Sequence, residues 1–345
     1  MEKNAPEWEK VKTDFKEWYF ENEQKFQLMK DMYQSLITSL LFDRNEISNP
    51  QIESRVKDRK SAIEKFERKY LSNYTNSIIL KDVTSKITDF VGIRIICSYE
   101  DEIHIVEEII KKNFTVIDKT DKTRDLVEKQ KFGYKGVHLD VVLSDDRKKL
   151  DEYKKISSQS VEIQIRSLIQ HAWSSLDHKI IYKKEKSPEI QRAIERLAAL
   201  FEIADSEFIR LRDETIKQEK ISEDRIKAIE KDKTNSEKST TLDFITFNKF
   251  LSMKFKYNFY EYRTNSMLDE IYRCNPEFDL IQLTESYDTE HEKVEKYKKD
   301  NEKILSMNPY TMLRHMLYAF DQEKYNILLT EIQRKNFDDF INQIT

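Results

Sequence analysis

The chain has 345 residues, of which 36% are charged and 38% hydrophobic, and its formal net charge at pH 7 is −4. These apolar residues, which include 17 Tyr and 19 Phe, suffice for a packed core and exclude a globally disordered chain. The slightly acidic balance argues against non-specific binding along duplex DNA but allows a local basic pocket that holds phosphates.

The N-terminal segment and the cysteines indicate a soluble, cytoplasmic protein that does not enter a membrane. The first ten residues, MEKNAPEWEK, are charged and contain no secretory apolar segment. The sequence has no apolar run near the roughly 18 residues that cross a bilayer. Cys97 and Cys274 lack metal-site spacing and are expected to be reduced thiols.

In the first half of the chain, helical patterns give way to strand patterns. Apolar residues at spacings of three and four predict a helix over residues 1–42, which Asn49-Pro50 follows. Residues 51–74 are strongly basic and again have a helical pattern. Short β-branched runs then predict four strands, with a helix between the first two, at 91–97, 113–118, 136–143 and 161–166. Strands interleaved with helices indicate an α/β fold, a sheet flanked by helices.

The second half is helical by pattern. Residues 196–211 predict a helix with one apolar stripe, and Pro188 is placed near its start. The highly charged residues from 212 to about 240 are interpreted as a solvated helix or linker. The predicted organisation is therefore a catalytic domain with N-terminal helices over 1–215, a charged linker or helix over 216–240, and a mostly helical, aromatic-rich region over 241–345.

The first polar cluster is basic and lies in SRVKDRKSAIEK. On a helix, Lys57, Ser61 and Lys65 would share a face, with Arg55 and Arg59 near its N-terminal end. Guanidinium forks and lysine ammoniums suit a polyphosphate. An ordinary basic helix facing solvent would show the same pattern.

The second cluster surrounds a glycine at a predicted strand. Asp89 precedes Gly92 by three residues, and Arg94 lies inside the strand. A carboxylate at a strand edge, beside a glycine that allows close approach, suits a magnesium ligand. A turn-capping aspartate and a surface ion pair are the alternative.

The third cluster, KFGYKGVH, holds Gly133 and Gly136, two of only three glycines in the chain. A chain of this length would contain about 24 at average usage. The flanking glycines leave Tyr134 accessible for stacking on a nucleobase, although a β-bulge with a half-buried tyrosine would also fit. In a strand that begins at Tyr134, one polar face carries Gly136, His138 and Asp140.

The fourth cluster follows the last predicted strand into a helix. Glu162 and Gln164 share the polar face of the strand, where a glutamate suits a second metal ligand or a group that orients an attacking hydroxyl. His171 and His178 follow on one helix face without the carboxylate spacing of a zinc site. His178 is interpreted as a structural contact between helices.

Together, in this order, the four clusters resemble the RelA/SpoT synthetase family over residues 50–215. The matching motifs are R-x-K-x-x-x-S-x-x-x-K from Arg55, D-x-x-G-I-R from Asp89, F-G-Y-x-x-V-H from Phe132 and E-I-Q-I-R…H-A-W from Glu162. The resemblance implies a nucleotidyltransferase-like mixed sheet and a GTP diphosphokinase that transfers pyrophosphate from ATP to the 3′-hydroxyl of GDP or GTP. The sequence contains no His-Asp dipeptide, so synthesis of ppGpp or pppGpp without hydrolysis is expected.

The resemblance also assigns roles to individual residues. It implies that ATP is bound by Arg55, Lys57, Arg59, Ser61, Lys65 and Arg94. It implies that the acceptor nucleotide is bound by Lys131, Tyr134, His138, Gln164, Arg166 and His171, with Tyr134 stacked on guanine. Asp89 and Glu162 would hold Mg²⁺, and Glu162 would also help to activate the 3′-hydroxyl.

One departure keeps other functions open. The family commonly has a serine where this chain has Gly136, which bears on the acceptor. Some toxic family members instead pyrophosphorylate the 3′ CCA end of tRNA or modify adenine nucleotides. A nucleotide-sensing regulator without turnover is a third alternative, against which the retained Asp89 and Glu162 argue. Residues 241–345 are interpreted as helical core, or as a regulatory or oligomerisation module, and the sequence leaves a homo-oligomer open.

Overall fold

A computed structural model describes residues 5–73, 78–121, 136–156, 159–180, 187–232, 242–302 and 306–344. The chain divides into two compact units, Met1–Leu211 and Arg212–Thr345. Across these described ranges, no helix is both long enough and apolar enough to cross a membrane.

The first unit combines one mixed sheet with helices. In chain order its elements are α1 (Ala5–Leu41), β1 (Gln51–Val56), α2 (Arg59–Lys69), α3 (Leu80–Lys86), β2 (Val91–Cys97), α4 (Glu102–Asn113), β3 (Phe114–Asp121), β4 (Val137–Leu143), α5 (Asp145–Lys148), β5 (Val161–Ser167), α6 (Leu168–Ile180) and the first part of α7 (Pro188–Lys231). The predicted N-terminal helix and all four predicted strands are confirmed.

The sheet has the strand order β1-β2-β5-β4-β3. Strands β2 and β5 are parallel, and the other neighbouring pairs are antiparallel. The predicted α/β fold with a mixed sheet is therefore confirmed.

The prediction of a helix over 51–74 is wrong in its first part, because residues 51–56 form the edge strand β1. Ile52, Ser54 and Val56 are half-buried, and the residues between them are exposed, so the strand alternates with a period of two. Only six residues carry this alternation, and the charged residues around them dominate the pattern. The helix itself begins at Arg59.

One face of the sheet is apolar and fully covered. Ile93, Ile163 and Ile165 are buried on this face, which helices α1 and α4 cover. Phe90, just before β2, is buried and stacks on Phe26 of α1 with ring centroids 4.9 Å apart. Because successive strand residues point to opposite faces, the polar residues between these apolar ones lie on the other face.

Helix α7 is confirmed, and most of its predicted apolar stripe is exposed. Leu197, Leu200, Phe208 and Leu211 are 46%, 59%, 50% and 55% exposed. Phe201 packs on Trp173 of α6, with ring centroids 5.4 Å apart.

The second unit is helical, as predicted. It contains the rest of α7, then α8 (Phe244–Lys254), α9 (Glu261–Cys274), α10 (Leu280–Asp300), α11 (Pro309–Phe320), α12 (Gln322–Tyr325) and α13 (Glu331–Ile344). Its core includes Phe247, Phe250 and Leu283, and Ile226 and Ile229 of α7 also belong to it. Part of the segment interpreted as a solvated helix or linker therefore contributes to a core. The domain boundaries near 215 and 240 stay a prediction.

Candidate active site

The register of the strands sets polar residues side by side on the open face of the sheet. Running from β1 to β3, one row is Arg55, Gly92, Glu162, Asp140 and Asp118. The next row is Glu53, Arg94, Gln164, His138 and Thr120. Residues opposite each other in neighbouring strands are close enough to interact, so this face brings together predicted residues from all four clusters.

At the edge of this face, two lysines hold one aspartate. Lys57 Nζ lies 2.9 Å from Asp89 Oδ2, and Lys65 Nζ lies 2.9 Å from Asp89 Oδ1. The three side chains are only 14%, 15% and 11% exposed. Burial alone would raise the pKa of Asp89, but the hydrogen bonds and charges of Lys65 and Lys57 outweigh it and lower that pKa. Asp89 is therefore an ionised carboxylate.

Backbone contacts bring this trio together. The Lys57 N–H donates to the Phe90 carbonyl at 2.8 Å, and the Tyr19 hydroxyl donates to the Lys57 carbonyl at 2.6 Å. The expectation that Lys57 and Lys65 share a helix face is wrong, because Lys57 precedes α2. Lys57 and Lys65 nevertheless contact the same carboxylate, because β1 and the loop after it place Lys57 beside Asp89.

Two further residues of the first cluster, Ser61 and Arg59, also lie on α2. Asp58 caps α2 by accepting the backbone N–H of Ser61 at 2.9 Å, and the Ser61 hydroxyl also bonds to it. Ser61 therefore helps to start the helix. Arg59 is exposed at the first helical position. Neither residue is drawn into the contacts around Asp89.

Two neighbours hold the Glu162 carboxylate. Gln164 Nε2 donates to Glu162 Oε2 at 2.7 Å, and His138 Nδ1 lies 3.0 Å from Glu162 Oε1. The structure thus brings together three of the residues predicted for the metal and acceptor sites.

Arg166 is buried next to Gln164 and His138. It is 7% exposed, and its guanidinium donates to Gln164 Oε1 at 3.0 Å and to Ser174 Oγ at 2.8 Å. Burial, followed by the charge of Arg94, lowers the pKa of Arg166 to about 10, which leaves it protonated at neutral pH.

Arg94 and His171 lie on the side of the face toward β1. Arg94 Nη1 donates to Glu53 Oε2 at 3.0 Å. Burial, followed by the charge of Arg94, lowers the pKa of His171, which favours the neutral imidazole. A pocket of about 110 Å³ is present here, lined by Glu53, Ser54, Arg55, Gly92, Ile93, Arg94 and Gln164. Its volume is well below the roughly 300 Å³ at the lower end for ligand pockets, so it would receive part of a nucleotide.

Two carboxylates of the site were given no role from the sequence. Asp140 was placed on the polar face, and the structure sets it directly beside Glu162. Burial raises the pKa of Asp140; the Thr88 hydroxyl opposes this rise, and the charge of Glu162 adds to it. Glu53, the partner of Arg94, was missed because residues 51–56 were assigned to a helix.

The glycines have different surroundings. At Gly92, a Cβ atom would meet only the Arg55 side chain, at an ordinary 3.8 Å. At Gly136, where φ is +68°, a Cβ atom would lie 2.4 Å from the Ile165 carbonyl oxygen and 2.7 Å from Arg166 Cγ. The packing and the backbone conformation at this position therefore require glycine in this chain. Lys131, Gly133, Tyr134 and the side chain of His178 lie outside the described residues.

The donor chemistry of the site fits a magnesium ion. Carboxylate oxygens are ligands that Mg²⁺ prefers, and Asp89 and Glu162 each retain lone pairs beyond the contacts above. Over the ranges that the structure describes, no three His, Cys, Asp or Glu side chains form a metal site by themselves. Two carboxylates are a sufficient protein donor set for Mg²⁺, which usually binds one or two and completes its shell with water and phosphate oxygens.

Comparisons with known proteins match the part of the chain that contains this face. The model of a family described as a region found in RelA / SpoT proteins matches residues 54–187. GTP pyrophosphokinase YwaC of Bacillus subtilis (strain 168) is 30% identical over 178 residues, which cover 50% of this chain and 76% of that protein. GTP pyrophosphokinase YjbM of the same organism is 33% identical over 162 residues, which cover 44% and 68%. The crystal structure of small alarmone synthetase 1 from Bacillus subtilis is 26% identical, with a TM-score of 0.44, over 59% of this chain and 98% of that one.

Proposed function

Because the chain belongs to the RelA/SpoT family, we propose that it is a GTP pyrophosphokinase, which transfers the β,γ-pyrophosphate of ATP to the 3′-hydroxyl of GDP or GTP. The observation that carries this proposal is a pair of firmly held carboxylates: Asp89, just before β2, held by two lysines, and Glu162, on the polar face of β5, held by His138 and Gln164. Two relatives named GTP pyrophosphokinase supply the substrate class.

The basic side of the face is proposed to bind ATP. Arg55 and Arg94 line the pocket. The ammoniums of Lys57, which follows β1, and of Lys65 on α2 both contact Asp89. Guanidinium and ammonium groups neutralise phosphate charge, which is most of what phosphoryl transfer requires from a protein. Arg59 remains a proposed ATP ligand from its exposed position on α2, and Ser61 a weaker one because its hydroxyl already bonds to the capping carboxylate of Asp58.

Asp89 and Glu162 are proposed to hold Mg²⁺. When bound, the ion would neutralise charge on the transferred phosphates. The protein's part is to hold both carboxylates in place. Lys57 and Lys65 do this for Asp89, and His138 and Gln164 do it for Glu162.

The proposed reaction exchanges one phosphorus–oxygen bond for another. The acceptor's 3′-oxygen forms a bond to the β-phosphorus of ATP, the bond from that phosphorus to the α,β-bridging oxygen breaks, and AMP leaves with this oxygen. The proton of the 3′-hydroxyl passes to a Glu162 carboxylate oxygen, whose position His138 and Gln164 define. Positioning and charge neutralisation then supply the catalysis.

The acceptor side is proposed from the remaining residues of the motifs. Tyr134 would stack on guanine, and Lys131 would contact the acceptor's phosphates. His171 and Gln164 are also proposed to contact the acceptor, and Gln164 would do so beside Glu162, to which its Nε2 donates at 2.7 Å.

The test offers ATP labelled at the γ-phosphate, with Mg²⁺, to the full-length protein together with GDP, GTP, ADP or deacylated tRNA in separate reactions. Label in ppGpp or pppGpp is the expected result. Label on the 3′ end of tRNA, or on the adenine nucleotide, would replace the proposed acceptor while retaining the same donor chemistry. Glu162→Gln is the matched control, and it should abolish transfer while leaving the circular dichroism spectrum unchanged. No label on any acceptor would contradict an enzymatic function.

A further inference from the structure

Arg166 is enclosed by side chains of its own protein. It is 7% exposed, and its two terminal nitrogens are both engaged: Nη1 donates to Ser174 Oγ at 2.8 Å, and Nη2 donates to Gln164 Oε1 at 3.0 Å. Nη2 also lies 3.3 Å from His138 Nε2. A residue in this position is poorly placed to bind a nucleotide, although the sequence motif assigns Arg166 to the acceptor.

These contacts determine which way the two neighbours of Glu162 point. A guanidinium can only donate hydrogen bonds. The amide of Gln164 therefore turns its oxygen toward Arg166, which directs its nitrogen to Glu162 Oε2 at 2.7 Å. In the same way, Nε2 of His138 must accept, so the proton of the neutral ring is on Nδ1 and faces Glu162 Oε1 at 3.0 Å.

Gly136 provides the space for this arrangement. Its φ of +68° suits glycine, and a Cβ atom there would lie 2.7 Å from Arg166 Cγ. The same atom would lie 2.4 Å from the Ile165 carbonyl oxygen, which belongs to the strand backbone and cannot easily move. Any larger residue at position 136 would therefore displace the stem of Arg166 or the strand beside it.

We propose that Arg166, anchored by Ser174 and accommodated by Gly136, is a positioning residue that orients Gln164 and His138 so that both donate to Glu162. This inference rests on the proposed function in one respect: it takes Glu162 as the carboxylate that acts on the acceptor hydroxyl. Arg166 then affects the rate of transfer and leaves nucleotide affinity unchanged. A residue that binds the acceptor directly would instead change the affinity for the acceptor and leave the rate of transfer unchanged.

The kinetic test compares the full-length protein with Arg166→Lys under saturating Mg²⁺. Lysine keeps the charge but lacks the planar fork that reaches Ser174 and Gln164 together. We expect kcat to fall about 10- to 100-fold, the usual cost of losing such a supporting contact, with KM for ATP and for the acceptor unchanged. A raised acceptor KM at constant kcat would make Arg166 a nucleotide ligand, and unchanged kinetics would also overturn the inference.

A second variant decides the question if Arg166→Lys does not fold. Ser174→Ala removes one hydroxyl on α6 and keeps Arg166 itself. We expect kcat to fall less than in Arg166→Lys, with KM for ATP and for the acceptor again unchanged. An unaltered kcat would contradict the proposal. Lys111→Ala, on the exposed side of α4, is the matched control and should leave both kinetic constants unchanged.

A spectroscopic measurement separates this inference from the proposed function. The ¹⁵N chemical shifts of the His138 ring, identified by difference from His138→Gln, should report the tautomer with the proton on Nδ1. In Arg166→Lys the chemical shift of His138 Nε2 should change, because this nitrogen loses the guanidinium that donates to it. If the unmodified protein transfers no label to any nucleotide, the proposed function fails but the tautomer measurement still applies. An Nε2 chemical shift that is the same in Arg166→Lys as in the unmodified protein overturns the positioning role.

Discussion

The side-chain hydroxyl of Tyr19 donates a 2.6 Å hydrogen bond to the backbone carbonyl of Lys57. This bond connects the middle of α1 to the loop whose lysine pairs with Asp89. The N-terminal helix therefore does more than cover the sheet, because it helps to fix one end of the candidate active site.

Replacing Tyr19 with phenylalanine tests this connection. The ring packing would be retained, but the partly buried carbonyl would lose its donor, which costs about 1 kcal/mol. We expect the free energy of unfolding in urea to fall by that amount and kcat to decrease, since the Lys57 loop gains freedom. Unaltered stability and rate would show that the loop is held by its other contact, the Lys57 N–H to the Phe90 carbonyl.

Asp89→Asn should destabilise the protein in a pH-dependent way. The folded-state pKa of Asp89 is lowered below its ordinary value of 3.8, so its ionised form stabilises the fold above that value, and this contribution is lost as pH falls through the folded pKa. At neutral pH the variant would leave Lys57 and Lys65 without their counter-charge. A loss of about 3 kcal/mol is expected for breaking such a buried pair.

The measurement is urea unfolding of both proteins from pH 7 to pH 3. The difference in unfolding free energy should be constant down to about pH 4 and then shrink, because wild-type Asp89 becomes protonated. Asp145→Asn, whose exposed carboxylate pairs with Lys148, is the control and should show no measurable difference. A difference for Asp89→Asn that does not change over the whole range would contradict the ion-pair explanation.

The sequence predicts the sheet better than the site. Strands such as 161–166 alternate apolar and polar residues, and this pattern specifies both the element and the face that carries Glu162 and Gln164. The edge strand at 51–56 carries only a six-residue alternation among charged neighbours. Two other features, the meeting of Lys57 with Lys65 and the burial of Arg166, depend on tertiary contacts that no local pattern encodes. The motif containing Arg166 indicates a functional neighbourhood, whereas the role within it depends on which atoms surround the side chain.

Gly136 and Gly92 are expected to respond oppositely to alanine. Gly136→Ala combines a positive φ with a contact of 2.4 Å to a backbone oxygen and should cost about 2 to 4 kcal/mol. Gly92→Ala adds a Cβ at an ordinary distance from Arg55 and should raise stability by about 0.5 kcal/mol, since glycine weakens strands. Thermal unfolding of the two variants gives the comparison. Equal effects would mean that Gly136 is not constrained by its packing.

The final prediction concerns the second unit, and the structure indicates where to cut the chain. A chain that ends at residue 240 would retain Ile226 and Ile229, which belong to the C-terminal core, without that core. A chain that ends at Leu211 keeps the whole sheet and its own apolar core. We expect this fragment to fold and to transfer pyrophosphate at the rate of the full chain, because the polar face and its ion pairs lie within it. A marked rise in rate would show that residues 212–345 restrain the site. A fragment that does not fold would show that the first unit depends on the second.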